Sequence, residues 1–287
     1  MKIIDIHVHV GPLENKTASL EYYNNYIPSI INYMHDNEIY RCILLCDCYK
    51  DNTKEHCAIL KNISQLYRNN FNWMCSLNDN CKLDDMYNIL LDYKEKGACG
   101  IGEIMAHKYI DSDYCNQLFQ NAEQLNLPIL FHLSPCEYLG YGLIDDPGLP
   151  RLENALSKYK KLRFIGHSQP FWHEISANTS ILPDERNTFG RGKIYPGGRL
   201  LYLLDNYHNL YCDLSANSGS SAIMRDEKFG IWFIKKYQDR LLFGSDINGT
   251  GNEYPLLNWL KNHVISNSIS MEVFEKICYY NAEKMFL

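Results

Sequence analysis

Short apolar runs rich in β-branched residues recur along the chain, each followed by a polar break. They cover residues 2–9, 40–46, 72–77, 98–104, 128–133, 162–167, 210–213 and 240–245. Continuous apolar character, rather than strict alternation, is the mark of parallel strands buried on both faces. Between most of these runs lie stretches whose apolar residues return at helical spacing: 19–36, 54–67, 84–96, 113–125, 151–159, 198–207 and 227–237. Ile59, Ile63 and Leu66 share one face in this way, as do Leu118, Ala122 and Leu125. Residues 271–286 read as a closing helix. Eight strands alternating with helices in 287 residues predict an α/β fold, a (β/α)8 TIM barrel, formed as a single domain over 1–287.

Right-handed crossovers place the carboxyl ends of all barrel strands at one rim, where barrel active sites form. Metal-type side chains fall at those ends. His7 and His9 close the first strand, and residues two apart on a strand share a face. Glu103 closes the fourth, His132 the fifth, His167 the sixth, and Asp246 follows the eighth. Taken singly, each has a plain structural reading. A histidine at a strand end is commonly a hydrogen-bonded core residue, and an aspartate after Gly-Ser commonly caps a helix. Taken together, four histidines and two carboxylates at one rim suit zinc, iron or manganese. His35, His56, His208 and His263 sit in helical or turn contexts and are expected at the surface, while His107 and His173 lie just beyond strands four and six.

Composition narrows the function class. Hydrophobic residues are 46% and charged residues 22%, enough apolar surface for a sizeable core. The net charge of −6 argues against a dedicated nucleic-acid binder. Eleven scattered cysteines with no Cys-x-x-Cys pair read as reduced, buried thiols. The chain enters a strand directly at its start, and no apolar stretch reaches membrane-spanning length. A cytoplasmic protein is therefore expected, with a small-molecule substrate and no nucleic-acid or membrane partner. Self-association into a homo-oligomer is compatible with the sequence.

The opening Asp5-Ile6-His7-Val8-His9, the Gly-Ile-Gly-Glu segment ending at Glu103, Leu130-Phe131-His132, Ile165-Gly166-His167, Leu242-Phe243-Gly244-Ser245-Asp246 and the closing Asn281-Ala282-Glu283-Lys284-Met285-Phe286 together resemble the amidohydrolase superfamily, in its amidohydrolase-related (amidohydrolase 2) branch. The resemblance spans nearly the whole chain. It implies that His7, His9 and Asp246 hold a more buried divalent metal. It also implies that His132 and His167 hold a second metal or polarise around the first, with Glu103 as a bridging carboxylate, as in TatD-like hydrolases. One or two ions are compatible with it, and Glu103 favours two. Zinc is the leading candidate, with manganese or iron as alternatives.

The reaction expected is hydrolysis of an amide, ester or lactone. Asp246 would act as the proton carrier and His167 as a stabiliser of the developing oxyanion. Residues 168–197 form a long loop expected over the site, since long loops in compact domains commonly bind ligands. Phe171, Trp172 and Arg191 in that loop, Ser215 after strand seven and Tyr138 after strand five are the expected substrate contacts, with Asn217, Ser218 and Tyr141 also within reach of the pocket mouth. Three other readings stay open. The same branch includes decarboxylases of aromatic acids, for which Arg191, Lys193 or Arg225 would clamp the substrate carboxylate. A TatD-like nuclease fits the ligands but not the acidic charge. A non-enzymatic barrel with a structural metal, or none, fits poorly, because structural zinc sites draw their ligands from one compact region.

Overall fold

The computed structural model describes residues 2–11, 20–47, 52–249 and 254–287. Its strands are β1 (Ile3–Val8), β2 (Ile39–Leu44), β3 (Phe71–Cys75), β4 (Ala98–Ile104), β5 (Ile129–Ser134), β6 (Leu143–Ile144), β7 (Phe164–His167), β8 (Leu210–Asp213) and β9 (Leu241–Leu242). They pair in parallel in the order β1-β2-β3-β4-β5-β7-β8-β9, with β6 added to the end of β5 outside this path. The ring closes through backbone bonds between its first and last segments. Ile6 N donates to Phe243 O at 3.1 Å, Asp246 N to His7 O at 2.8 Å, and His9 N to Ile247 O at 2.7 Å. This is a (β/α)8 TIM barrel. All eight expected strands are present, and only the two-residue β6 was not anticipated.

Strand alternation divides the apolar residues into two cores. Ile4 and Ile6 of β1 join Ile43, Met74, Leu130, Ile165 and Leu242 in the barrel interior, which Tyr279, Ala282, Met285 and Phe286 from the end of the chain also fill. Ile3 and Val8 belong to the layer between strands and helices. The alternation does not run straight through β1. Its register against β2 shifts between Asp5 and Val8. Asp5 Oδ1 accepts the His7 backbone N–H at 3.1 Å and the Ser245 N–H at 3.0 Å across this shift. Tyr33 of the covering helix Ile27–Asn37 donates to the other carboxylate oxygen at 2.9 Å. A strict period of two would put His7 on the face of Asp5, whereas the shift puts it with Ile4 and Ile6 on the inner side.

The helical expectations over 54–67, 84–96, 113–125, 151–159, 198–207 and 227–237 correspond to helices Thr53–Leu66, Leu83–Glu95, Asp113–Gln124, Pro150–Lys158, Arg199–Asn206 and Glu227–Tyr237. The stretch 19–36 is divided into Leu20–Asn24 and Ile27–Asn37, with Pro28 in the first turn of the second helix; residue 19 lies outside the described residues. The closing helix is interrupted by a π segment at Lys276–Tyr280. Helices Ala216–Met224 and Pro255–Ile265 were not expected. The first is rich in Gly, Ser and Asn, poor helix formers. Its Gly219 packs so closely that a Cβ there would lie 2.4 Å from the Leu214 backbone carbon.

Residues 168–197 carry two short helices, Gln169–His173 and Pro183–Arg186. Arg186 ties the segment down. Its guanidinium is fully buried and reaches Glu174 Oε1 at 3.4 Å and the Pro135 carbonyl at 3.4 Å. His56 and His263, expected at the surface, are both buried. Each occupies the inward face of its amphipathic helix, where helical spacing outweighs the polarity of one ring.

Candidate active site

The six rim groups meet in one place. His7 Nε2 and His9 Nε2 lie 3.1 Å apart, and Asp246 Oδ1 is 3.3 Å and 3.4 Å from them. Glu103 Oε2 stands 3.7 Å from His7 Nε2 and 3.5 Å from His9 Nε2. Its other oxygen receives His132 Nδ1 at 2.8 Å and lies 3.9 Å from His167 Nε2. Asp246 Oδ2 faces His167 Nε2 at 4.0 Å. Among the described residues, two sets of three donor atoms each fall within 4.8 Å of one another: His7, His9 and Asp246, and His7, Glu103 and His167. The chemistry of this donor set fits a divalent cation. Imidazole nitrogens and carboxylate oxygens converge to within 3.1–3.7 Å of His7 Nε2, the mixed nitrogen and oxygen set that zinc, iron or manganese takes.

Asp213, which sequence reasoning passed over, orders the rings. It is fully buried at the end of β8. Its Oδ2 lies 2.6 Å from His7 Nδ1 and 3.1 Å from His167 Nδ1, and it accepts Ser215 Oγ at 2.7 Å. A carboxylate on Nδ1 fixes the tautomer of each ring and turns both Nε2 atoms toward the centre. The signal was available: Leu210-Tyr211-Cys212-Asp213 ends in a carboxylate at the same rim as the other five strand ends.

Electrostatics follow from burial among opposite charges. Burial alone would raise the Asp213 carboxyl, but the His7 charge and the bonds from His167 and His7 hold it well below the usual carboxylate range. Glu103 is likewise held down despite burial, chiefly by its bonds to His132 and His9. Burial would lower His167, yet the bond to Asp213 and the charges of Asp213, Glu103 and Asp246 carry it up to about 9. His132 goes the other way: burial keeps it below the ordinary imidazole value against the pull of Glu103. Burial tends to raise Asp246, and the neighbouring His7 and His9 bring it below its ordinary value.

A cavity of about 440 Å³ opens onto His132, His167 and Asp246. Tyr141, Phe189 and Tyr254 give it aromatic walls, and Gln169, Asn217 and Ser218 give it polar ones. The Tyr141 ring lies 4.1 Å from the His132 ring at 31°. Gly142 permits this approach: its φ is +98°, and a Cβ there would lie 2.3 Å from the His132 carbonyl oxygen. A larger cavity, about 770 Å³, lies outside the barrel between helices Thr53–Leu66 and Leu83–Glu95, away from these groups. The donor cluster, not cavity size, locates the site.

Of the expected substrate contacts, Tyr141, Asn217 and Ser218 line the cavity and the rest do not. Phe171 is core, packed beneath Gly166 and edge-on to Phe131. Trp172 is also core, its indole N–H donating to the Asp213 carbonyl at 3.1 Å. Ser215 stands behind the histidines, its Oγ 3.1 Å from His7 Nδ1 and 3.0 Å from His167 Nδ1. Tyr138 is 80% exposed and Arg191 faces solvent. His107 and His173 bond to the carbonyls of Glu137 and Thr188 and are not part of the cavity wall. Gln169, Phe189, Ala216 and Tyr254 were missed as wall residues, because nothing in the local pattern of a loop shows which side chain turns inward.

The fold recurs among solved structures. A probable 2-pyrone-4,6-dicarboxylic acid hydrolase from Acinetobacter baumannii, with citric acid bound, superposes with a TM-score of 0.63 at 15% identity, over 100% of this chain and 99% of that one. A 2,6-dihydroxybenzoate decarboxylase from Rhizobium gives 0.60 at 15% identity, over 99% and 98%. A dihydroxybenzoic acid decarboxylase from Polaromonas sp. JS666, with bound manganese and the inhibitor 2-nitroresorcinol, gives 0.61 at 15% identity, over 99% and 96%. A search of curated proteins finds no match. At the level of sequence, the amidohydrolase family model matches residues 93–287, which carry four of the six rim groups, and on that match the chain belongs to the amidohydrolase family.

Proposed function

We propose that this amidohydrolase-family enzyme is a metal-dependent hydrolase acting on an amide, ester or lactone of a small uncharged molecule. The observation that supports hydrolysis over decarboxylation is the cavity wall. Among the described residues that line it there is no lysine or arginine. A substrate carboxylate there would find no guanidinium or ammonium to clamp it, and among the described wall residues its one cationic neighbour would be His167. Arg191 and Lys193 are exposed, and Arg225 turns its guanidinium to the Arg191 carbonyl at 3.5 Å. Gln169, Asn217 and Ser218 can instead hydrogen-bond a neutral carbonyl or its leaving group, and Tyr141 offers a ring face.

His7, His9 and Asp246 would hold one divalent cation, with Glu103, His132 and His167 placed for a second. Zinc suits this nitrogen and oxygen set best, with manganese or iron as alternatives. Such a cation supplies Lewis acidity and a nucleophilic water at neutral pH. The chain supplies the proton handling. Asp246 Oδ2, on the cavity side, takes a proton from the attacking water and returns it to the leaving group. With a single cation held by His7, His9 and Asp246, His167 Nε2 keeps its proton and donates to the oxyanion as it develops. The cytoplasm is the proposed compartment, supported by described cysteines that are all free and mostly buried.

The test is a panel of N-acyl compounds, lactones and aromatic acids incubated with zinc- or manganese-loaded enzyme in ¹⁸O-water. Mass spectrometry should find the label in the carboxylic acid product of a neutral substrate. Release of CO₂ from an aromatic acid, with no label incorporated, would overturn hydrolysis in favour of a lyase.

A further inference from the structure

His7 and His167 each rest an outer nitrogen on Asp213. His9 is held differently. Its Nε2 joins the cluster, while its Nδ1 is buried with no hydrogen-bond partner among the described residues. An imidazole that coordinates through Nε2 carries its proton on Nδ1, and a buried N–H needs an acceptor. The group facing it is Asp47, just beyond β2, whose Oδ2 lies 3.9 Å from His9 Nδ1. Asp47 is nearly buried, with a side chain only 7% exposed, and its Oδ1 takes His56 Nδ1 at 2.9 Å. His56 comes from helix Thr53–Leu66, and its ring stacks on Tyr23 at 4.9 Å and 18°. Cys46 Sγ lies 3.5 Å from the same His56 nitrogen.

Resting on the cation reading above, we infer that Asp47, oriented by His56, is the positioning residue for His9, the counterpart of Asp213 behind His7. The chain thus places a carboxylate behind each member of the His-x-His pair, one from β8 and one from the end of β2. Asp47 touches neither substrate nor cation. It acts by fixing which nitrogen of His9 carries the proton and how the ring is aimed. The alternative is an ion pair that only joins helix Thr53–Leu66 to the barrel. That pair would contribute to stability and be indifferent to the cation.

The experiment measures two quantities on the full chain: affinity for Zn²⁺ and Mn²⁺ by competition with a chelator, and thermal stability of the cation-free protein. Asp47→Ala should weaken cation binding about 10- to 100-fold, the range for loss of such an outer partner. Asp47→Asn keeps an acceptor oxygen and should recover most of that loss. His56→Gln leaves Asp47 in place but unaimed, should weaken binding by roughly 3- to 10-fold, and serves if Asp47→Ala does not fold. Lower stability with affinity within about twofold of wild type in both Asp47→Ala and His56→Gln would overturn the inference and leave the cation site standing. Wild-type protein that binds neither ion would overturn the cation site and this inference with it.

Discussion

Asp246→Asn is expected to keep the fold and lower turnover about 10²- to 10⁴-fold, the usual contribution of a general acid–base group. Both halves of this expectation come from the geometry. Asp246 sits at φ +65°, in the left-handed region that asparagine tolerates better than most residues. The substitution preserves shape and backbone while removing the charge. Oδ1 faces His7 and His9, and Oδ2 faces His167 across the cavity mouth. A carboxamide in that place can neither take up a proton at neutral pH nor balance the imidazoles. With a side chain 29% exposed, Asp246 is also the most accessible of the six groups and can exchange protons with incoming water. The check is kcat on a hydrolysed substrate, with circular dichroism and cation content measured on the same sample. Turnover like that of wild type would remove Asp246 from proton transfer.

The second large effect falls on stability. Asp213→Ala should destabilise the cation-free protein by about 3–5 kcal/mol, the range for deleting one member of a buried charge pair. The alanine leaves Nδ1 of His7, Nδ1 of His167 and the Ser215 hydroxyl without the acceptor that joins them. Asp213→Asn keeps one acceptor oxygen and should lose less. The sign with pH follows from the depressed Asp213 pKa. The folded protein holds this carboxylate ionised more strongly than the unfolded chain does. Its contribution is therefore complete above the ordinary carboxylate pKa of about 4 and is lost as pH falls through the lower folded value. Urea denaturation at pH 7 should show most of the deficit, which should shrink in strong acid and again as pH rises through about 9, where His167 loses its charge. A deficit below about 1 kcal/mol at pH 7 would mean that Asp213 does not carry the buried pair strength assigned to it.

The barrel and the rim were legible for the same reason. Parallel strands buried on both faces write uninterrupted apolar runs, and a polar ligand at the end of such a run stands out against it. His132 after Ile129-Leu130-Phe131 and His167 after Phe164-Ile165-Gly166 are examples. What the pattern does not carry is phase and depth. His7 faces inward only because the register of β1 shifts near Asp5, and no residue type announces that shift. Phe171 and Trp172 look like ligand contacts in a loop but lie in the core, because Gly166 leaves room for the Phe171 ring below β7. Ala216–Met224 is helical although its residues disfavour helix, since tertiary packing outweighs propensity in a buried segment. The cavity wall gathers Gln169, Phe189, Ala216 and Tyr254 from separate segments, an arrangement set by how those segments fold back over the rim.

A shared cation at the rim underlies the whole functional reading, and titration of chelator-treated protein with Zn²⁺ or Mn²⁺ by calorimetry tests it most directly. Saturable binding of one or two ions per chain, with a rise in melting temperature, is expected for the wild type. Both signals should be lost or strongly weakened in His7→Ala, whose Nε2 belongs to both donor sets. No heat and no thermal shift with either ion, or equal binding in His7→Ala, would contradict it.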